Sequence, residues 1–108
     1  LTQNKLTFTR VAAIQYPRQG VWSVALVTGP GLTSISKNQE KEYLTLFVPS
    51  SPPPFTGYVV TVPKDEVMML DMSIEEAMRF TISGGVITPA QQKLYEQKKS
   101  QVQTEEKN

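Results

Sequence analysis

A chain of 108 residues has room for one domain of ordinary size and none for a second. It contains neither cysteine nor histidine, which excludes disulfides, metal sites built on thiolate or imidazole ligands, and histidine-based acid–base catalysis. Eleven basic side chains offset ten acidic ones, so the charge balance favours neither a nucleic-acid partner nor an anionic membrane surface. No apolar run approaches the ~20 residues of a membrane-spanning helix, so we expect this chain to be soluble.

Five short runs of apolar, β-branched and aromatic residues predict β-strands, and they lie at residues 11–16, 21–28, 43–48, 58–62 and 67–70. The first two runs are joined by Pro17-Arg18-Gln19-Gly20, which predicts a tight turn because proline restricts φ and glycine tolerates positive φ. Together they predict a hairpin with Arg18 at its tip. Residues 32–41 are polar and lack periodicity, so we expect a loop there.

The third run is apolar at five of its six positions, whereas a strand with one solvent face alternates between apolar and polar residues. We therefore expect a sheet that is covered on both faces, as in a barrel, a sandwich, or a sheet beneath a helix or another protein. The third and fourth runs are separated by the proline loop (residues 49–57). Its four prolines predict a stiff, polyproline-like connection that carries Phe55 near its tip.

A packed helix is predicted in the second half of the chain. Ser73 and Glu76 have the spacing of a capping box, in which each side chain binds the backbone N–H of the other residue. Four residues at helical spacing form an apolar stripe that would face the core: Ile74, Ala77, Met78 and Thr81. The helix is expected to end near Ser83, where Gly84-Gly85 can take the left-handed conformation of a C-terminal cap.

A second helix is predicted from Thr88, with proline at its first helical position and glutamine at its third. Its sizeable apolar residues are Leu94, Tyr95 and Val102, too few to hold a long helix against a core. The expected fold class is α+β, with about five mostly antiparallel strands in a sheet or partial barrel, one packed helix and a loose C-terminal helix. We expect residues 1–108 to form one soluble domain, with a core at about 8–88 and a polar helical tail at 89–108.

Carboxylates and serines are the remaining candidates for catalysis. Five carboxylates would be available for an acid–base pair or a hard-cation site: Asp65, Glu66, Asp71, Glu75 and Glu76. They lie in turns and at a helix start, where acidic groups favour the macrodipole, so structural roles are the better interpretation. Four serines accompany the turns and caps: Ser50, Ser51, Ser73 and Ser83. Without histidine they cannot form a classical triad, and no spacing supports a Ser–Lys dyad.

Three aromatic side chains and a pair of glycines could each have a ligand-binding or a structural role. Trp22, Tyr43 and Tyr58 could stack on nucleotide bases, but they lie in apolar strands with few flanking lysines or arginines, so we expect them to pack in the core. Gly84-Gly85 follow a helix, whereas a phosphate-binding loop precedes one, so a cap is the better interpretation. We accordingly expect no catalytic residues, no cofactor, no metal and no nucleic acid.

Two segments remain as candidate contact surfaces. Arg18 stands at a hairpin tip that would accept almost any polar residue, although exposed arginines are common as plain surface charges. A stiffened proline loop that carries Phe55 loses little conformational entropy when it docks, although such a loop can also be only a rigid crossover. The candidate binding residues are Arg18, Pro53, Phe55, Thr56 and Gly57.

Several blocks of this sequence resemble one known family in the same order. The blocks are Tyr16-Pro17-Arg18-Gln19-Gly20 with Trp22, Val27-Thr28-Gly29, Val48-Pro49-Ser50-Ser51-Pro52-Pro53-Pro54 with Thr56-Gly57, Val62-Pro63-Lys64-Asp65-Glu66-Val67, Leu70-Asp71-Met72-Ser73-Ile74-Glu75-Glu76-Ala77, and Ser83-Gly84-Gly85. From about Phe8 to Thr88 the chain resembles the domain of unknown function numbered 502 (DUF502), a family that includes the plant continuous-vascular-ring proteins. Gln15 stands where the resemblance implies an acidic residue, and Ala25-Leu26 where it implies small and aromatic residues.

The resemblance implies a membrane context. Family members are integral membrane proteins with two spanning helices ahead of this domain, so this chain would be their soluble portion, anchored through segments outside it. The bacterial members have no assigned activity, and the plant members are linked to vascular patterning and to membrane trafficking at the Golgi. These properties are expectations for this chain.

Three functions are left open by the sequence. The favoured one is a non-enzymatic interaction or scaffolding domain that binds a protein partner or associates with itself. The second is a module that binds a small ligand or a peptide at a sheet edge near the proline loop. The third is a hydrolase with an unusual serine or carboxylate site.

Overall fold

A computed structural model describes residues 10–107 of the chain, with side chains as far as Val102. Residues 8 and 9, where the core of the domain is expected to begin, lie outside this range. The elements in chain order are β1 (Arg10–Gln15), β2 (Trp22–Pro30), α1 (Thr33–Gln39), β3 (Tyr43–Pro49), β4 (Gly57–Pro63), a 3₁₀ turn (Lys64–Glu66), β5 (Met68–Met69), α2 (Ile74–Ile82) and α3 (Pro89–Lys107).

The five strands form one antiparallel sheet with the order β4-β3-β2-β1-β5, which confirms the α+β class. Consecutive strands β4 and β5 therefore lie at opposite edges, joined by the short 3₁₀ turn. A connection this short requires the sheet to curl. The rings of Tyr16, just after β1, and Tyr58, on β4, lie 5.8 Å apart between centroids although two strands separate β1 from β4. The sheet is therefore open and curled, and its β4 and β5 edges do not pair with each other.

The concave face of the curled sheet forms its own core. Six side chains there are buried: Ala12, Ile14, Ala25, Val27, Leu46 and Val48. The residues packed around them come from the sheet and its turns, including Tyr16, Val60 and Val67, so no helix is needed on this side. Burying one side chain of the size of Leu46 contributes about 1.5–3 kcal/mol.

Helix α2 covers the convex face. Ala77 is fully buried against Val11 and Leu26 of the sheet, and Phe47 packs against the same cluster. The apolar composition of β3 is explained by this arrangement, because Leu46 faces the concave core while Phe47 faces α2. The expectation that both faces are covered is confirmed.

Both ends of α2 have the predicted caps. The Ser73 hydroxyl accepts the backbone N–H of Glu76 at 3.0 Å, and the Glu76 carboxylate accepts the backbone N–H of Ser73 at 2.9 Å. At the other end Gly84 and Gly85 have φ of 69° and 88°, and the N–H of Gly85 donates to the carbonyl of Phe80 at 2.8 Å. This is a Schellman ending, which requires left-handed residues after the helix.

The predicted loop at residues 32–41 is wrong in part, because α1 occupies most of it. The helix buries no residue and has no side-chain N-cap, so it produces no apolar periodicity to read. Local polar contacts hold it instead: Asn38 donates to the carbonyl of Ser34 at 2.8 Å, and Glu40 ends the helix with φ of 55°. An exposed helix of seven residues, about two turns, is too short to give a clear periodic pattern in the sequence.

Helix α3 begins with the predicted cap, since the N–H of Gln91 donates to the Thr88 hydroxyl and the Gln91 side chain accepts the N–H of Thr88. It is attached to α2 by Gln92, which is only 7% exposed. The Gln92 amide donates to the carbonyls of Glu76 and Ile87, and its oxygen accepts from Arg79. Glu76 and Arg79 of α2 also line one shallow depression with Lys93 and Glu96 of α3, so the two helices lie side by side here.

The apolar residues Leu94, Tyr95 and Val102 of α3 are exposed, as expected for a loosely held helix. Within residues 10–107, no helix is both long enough and apolar enough to cross a bilayer.

Candidate functional site

Both predicted contact segments, the turn with Arg18 and the proline loop, lie at the same end of the sheet. The β2–β3 register pairs Leu26 with Phe47, and continuing it places the start of β2 beside the end of β3. The turn before β2, which contains Arg18, therefore lies next to the proline loop. Trp22 and Ser51 line one cleft with Gly84, which brings the end of α2 to the same place. We call this region (residues 16–22, 49–57 and 83–85) the proline-loop end.

The turn that carries Arg18 is held by several hydrogen bonds. The Gln15 side chain accepts the N–H of Gly20 at 2.6 Å, and the Ser23 hydroxyl donates to the carbonyl of Tyr16 at 2.8 Å. Gln15 thus supplies an acceptor oxygen, which the acidic residue implied by the family resemblance would also supply. Arg18 is exposed, its guanidinium donates to the carbonyl of Gln19 at 2.9 Å, and it forms no ion pair among residues 10–102.

The proline loop is organised around Ser50. Its hydroxyl lies 2.9 Å from the carbonyl oxygens of Pro53 and Thr56 and 2.6 Å from the Thr56 hydroxyl. Its backbone N–H also donates to the carbonyl of Thr56 at 2.7 Å. Gly57 closes the loop, because a Cβ at this position would overlap the carbonyl of Val48. The peptide bonds before Pro17 and Pro52 are both cis.

The five predicted binding residues therefore differ in role. Pro53, Thr56 and Gly57 build the loop, whereas Phe55 contacts little of the chain and is 88% exposed. Arg18 is likewise displayed on a turn that other groups hold together. Both displayed side chains stand on segments whose backbone is hydrogen-bonded internally, so little conformational freedom is left to lose on binding.

A cleft of about 430 Å³ lies between these loops and the end of α2. Its lining contains no charged residue and consists of Trp22, Ser23, Val24, Val48, Pro49, Ser51, Phe80, Thr81, Gly84 and Gly85. Trp22, Ser51 and the glycine pair come from three separate blocks of the family resemblance. The fold brings these blocks together, which the sequence alone does not reveal because strand order is a tertiary property.

The expectation that Trp22 and Tyr58 pack in the core is wrong. Trp22 is 50% exposed because it is the first residue of β2 and lies over the cleft, and Tyr58 is 62% exposed because it lies on an edge strand. Tyr43 is half-buried. A β-strand composition does not distinguish a central strand from an edge strand, so it could not separate these cases.

The serines considered for catalysis have structural partners. Ser50 holds the proline loop and Ser73 caps α2, as described above. The Ser83 hydroxyl donates to the carbonyl of Phe80 at 2.9 Å and accepts the N–H of Ile87 at 2.9 Å. Ser51 is exposed and lines the cleft.

Among the carboxylates, Glu76 completes the helix cap and Glu75 pairs with Arg79 one turn later. In the described part of the chain, no three acidic residues come close enough to form a metal-binding group.

The opposite end of the sheet, which carries α1, differs in chemistry. A shallow depression there is lined by Lys41, Glu42, Lys64 and Asp65. The Lys64 ammonium lies 3.3 Å from the Glu42 carboxylate, and both side chains are mostly exposed. The two ends are therefore distinct, with charged side chains at the α1 end and an uncharged aromatic cleft at the proline-loop end.

Comparison with protein families agrees with the predicted resemblance. The family model described as "Protein of unknown function (DUF502)" matches residues 1–56, which is more than half of the chain. The match includes the turn with Arg18 and most of the proline loop.

Three plant relatives from Arabidopsis thaliana are similar over 81% of this chain. Protein LIKE COV 2 is 29% identical over 87 residues, and Protein LIKE COV 1 is 28% identical over 89 residues. Protein CONTINUOUS VASCULAR RING 1 is 28% identical over 89 residues. The alignments cover 33%, 33% and 32% of these relatives, so the chain spans about a third of their length. No solved structure matches the chain.

Proposed function

We propose, from the premise that this chain belongs to the DUF502 family, that it is a non-enzymatic interaction domain whose proline-loop end binds a protein partner. In the full-length protein the domain would be anchored at a membrane through segments outside this chain. The name of one plant relative refers to a continuous vascular ring, and a contact role within a membrane-anchored assembly is compatible with that name.

The display of Phe55 on a rigid loop is the observation that carries this proposal. An exposed phenylalanine costs solvation free energy in the free protein, and it contributes binding energy only where a partner covers it. Aromatic and arginine side chains are the usual anchors of protein interfaces. Phe55, Trp22 and Arg18 supply both types at one end of the sheet, on segments with internal hydrogen bonds.

The absence of an enzymatic role is supported by how the serine hydroxyls are used. Ser50 and Ser83 bind main-chain groups and a threonine hydroxyl, so each hydroxyl is engaged in folding the loop or the helix end. A nucleophilic serine requires an adjacent base to take its proton. None of the partners of these two hydroxyls is a titratable side chain.

The test is affinity capture with the full-length, membrane-anchored protein after cross-linking in its membrane. Wild type and four variants are compared by quantitative mass spectrometry: Arg18→Ala, Trp22→Ala, Phe55→Ala and Leu32→Ala. Leu32 is the matched control because it is an exposed apolar residue at the α1 end. We expect one or more proteins to be captured equally by wild type and L32A, less by R18A, and at least tenfold less by F55A and W22A. Equal capture by all variants that fold would overturn the proposal.

A second candidate, binding of an extended apolar or proline-rich peptide, is favoured by the uncharged cleft. Aromatic-lined grooves recognise polyproline segments by stacking, and an indole N–H adds a hydrogen bond. Trp22 is the single tryptophan of the chain and lies in this cleft, so its fluorescence reports occupancy directly. A titration with a proline-rich decapeptide should shift the emission and protect Trp22 from acrylamide quenching. An unchanged spectrum at millimolar peptide would eliminate this candidate.

A further inference from the structure

The free edge of the sheet at β4 has a definite set of outward-facing backbone groups. The N–H of Lys64 donates to the carbonyl of Glu42 at 2.9 Å, and the N–H of Ser50 donates to the carbonyl of Thr56 at 2.7 Å. In the β3–β4 register these pairs fall on the same alternation as Tyr58, Val60 and Val62. Those three residues therefore exchange hydrogen bonds with β3.

The alternate residues of β4 consequently point their N–H and C=O groups away from β3. They are Gly57, Val59 and Thr61, and β4 has no second neighbour among the described strands. An edge strand with unpaired groups is a template for another strand, and most proteins protect such edges with charges, proline or bulges. From Gly57 to Val62 the strand carries none of these, and Val59 is 72% exposed.

The β5 edge of the sheet, by contrast, is short and is flanked by charged residues. β5 has two residues and is flanked by Lys64, Asp65 and Glu66 on one side and Asp71 on the other. Pairing at β5 would gain few hydrogen bonds and would bring charged side chains to the contact. The asymmetry selects β4 as the edge that can extend the sheet.

We propose that a second copy of this chain pairs with β4 in antiparallel fashion, about a two-fold axis at Val59. The inference rests on the proposed interaction role and assigns one of its partners. With the axis at Val59, the residue faces its own copy as a hydrogen-bonded pair, and Gly57 faces Thr61 of the second copy. Because these are the residues with outward groups, every outward N–H between Gly57 and Thr61 finds a carbonyl.

The side chains of β4 are self-complementary in this register. Tyr58 lies opposite Val60 of the second copy, an aromatic and β-branched pair of the type that stabilises antiparallel strands. Glycine at position 57 leaves space for the facing Thr61. A two-fold axis at Val59 places a charge at that position directly beside its own copy, so a charged residue there would repel itself. The absence of charge along β4 removes this repulsion, whereas a partner of a different kind would place no such restriction on the edge.

Single-cysteine oxidation tests the register, and the cysteine-free chain gives no background. A hydrogen-bonded antiparallel pair has a Cα separation of about 5.5 Å, which a disulfide can span. We expect Val59→Cys to form a covalent dimer on mild oxidation. Thr61→Cys is the matched control on the same strand and face, because its two copies would be about 14 Å apart. Dimers of T61C without dimers of V59C, or no dimers of V59C at millimolar protein, would overturn the proposal.

Sedimentation equilibrium of the 108-residue chain supplies the second readout. Val59→Lys places like charges at the axis, and Val59→Pro removes an outward N–H that β3 does not use, so both variants should remain folded by circular dichroism. We expect each to raise the dimer dissociation constant at least tenfold. A wild-type chain that is monomeric at 1 mM, or variants that dimerise like wild type, would overturn the pairing. Phe55→Ala should dimerise normally, so a failed partner capture and a failed β4 pairing are distinguishable.

Discussion

Ser50 and Thr56 hold their hydroxyl oxygens 2.6 Å apart across the mouth of the proline loop. The Ser50 hydroxyl also lies within hydrogen-bond distance of the carbonyl oxygens of Pro53 and Thr56, so one side chain contacts the proline loop at three points, two of them on Thr56. Phe55 lies between two of these points, and its exposed position follows from the way the loop is folded beneath it. The Ser50 hydroxyl therefore adds to the rigidity that the prolines and the hydrogen bond from the Ser50 N–H to the Thr56 carbonyl already give this candidate contact surface.

Ser50→Ala should loosen the proline loop without unfolding the sheet. Removal of the Ser50 hydroxyl is expected to lower the free energy of unfolding by about 1 kcal/mol, the usual net value of an intramolecular hydrogen bond. Urea titration measures this cost, and amide exchange at Ser50 should accelerate because its N–H bonds to Thr56 across the loop. Ser51→Ala is the control, since Ser51 is exposed. Identical exchange rates in S50A and wild type would contradict the assigned role.

Ser73→Ala should cost about 1 kcal/mol, because the first turn of α2 loses the acceptor for the Glu76 N–H. Glu76→Gln retains an oxygen that accepts the N–H of Ser73 and should change stability by less than about 0.5 kcal/mol. The two variants are compared in denaturant titrations at one pH. If S73A and E76Q were equally stable, the capping box would have no measurable weight in this fold.

Gln92→Ala should release α3 from α2. The substitution removes a buried amide whose hydrogen bonds reach Glu76, Ile87 and Arg79, so we expect the first turns of α3 to exchange their amide protons at least several-fold faster. Gln97→Ala, at an exposed position of the same helix, is the control. Unchanged protection of α3 in Q92A would mean that another contact attaches the helix.

Deletion of residues 100–108 should shift Tm by less than about 2 °C, because Val102 is exposed and this part of α3 contributes little burial. Deletion of residues 89–108 removes Gln92 as well and should lower Tm by several degrees. Differential scanning calorimetry of the two truncations distinguishes a free tail from a packed one. A large fall in Tm on deletion of residues 100–108 would show that this segment packs against the rest of the chain, contrary to the prediction.

Arg18→Ala and Phe55→Ala should leave the isolated chain folded, each within about 1 kcal/mol of wild type, as is usual for exposed positions. Arg18 donates only to the carbonyl of its neighbour Gln19, and the turn retains its bonds from Gln15 and Ser23. Melting curves of the soluble variants provide the measurement. If both variants unfolded, the two residues would belong to the core and could not serve as contact anchors.

Features that depend on neighbours in the sequence were predictable. The capping box at Ser73 and Glu76, the glycine ending of α2 and the cap at Thr88 involve contacts within five residues, and all three are present. The β-runs were predictable for the same reason, because strand composition is a local property. Phe55 could be placed in an exposed position since proline stiffens the segment that carries it.

Features that depend on the curled sheet were not predictable. The exposure of Trp22 and Tyr58 follows from which strand lies at an edge, and the uncharged cleft arises from three distant segments. Gln92 resembles the other glutamines of a polar helix, and only the position of α2 makes it buried. Helix α1 buries none of its residues, so its sequence has no apolar pattern from which a helix could be predicted.

The direction of β1 determines how the molecule can be attached to a support through the chain ahead of Arg10. β1 runs from the α1 end toward the proline-loop end, because Arg10 pairs with Val27 and Gln15 pairs with Trp22. A support linked ahead of Arg10 would thus hold the molecule by its charged α1 end, with Phe55 and Trp22 facing outward. In two copies paired through antiparallel β4 strands, the α1 ends, and with them the points of attachment ahead of Arg10, would lie on opposite sides of the pair. Such a pair would span the gap between two facing surfaces.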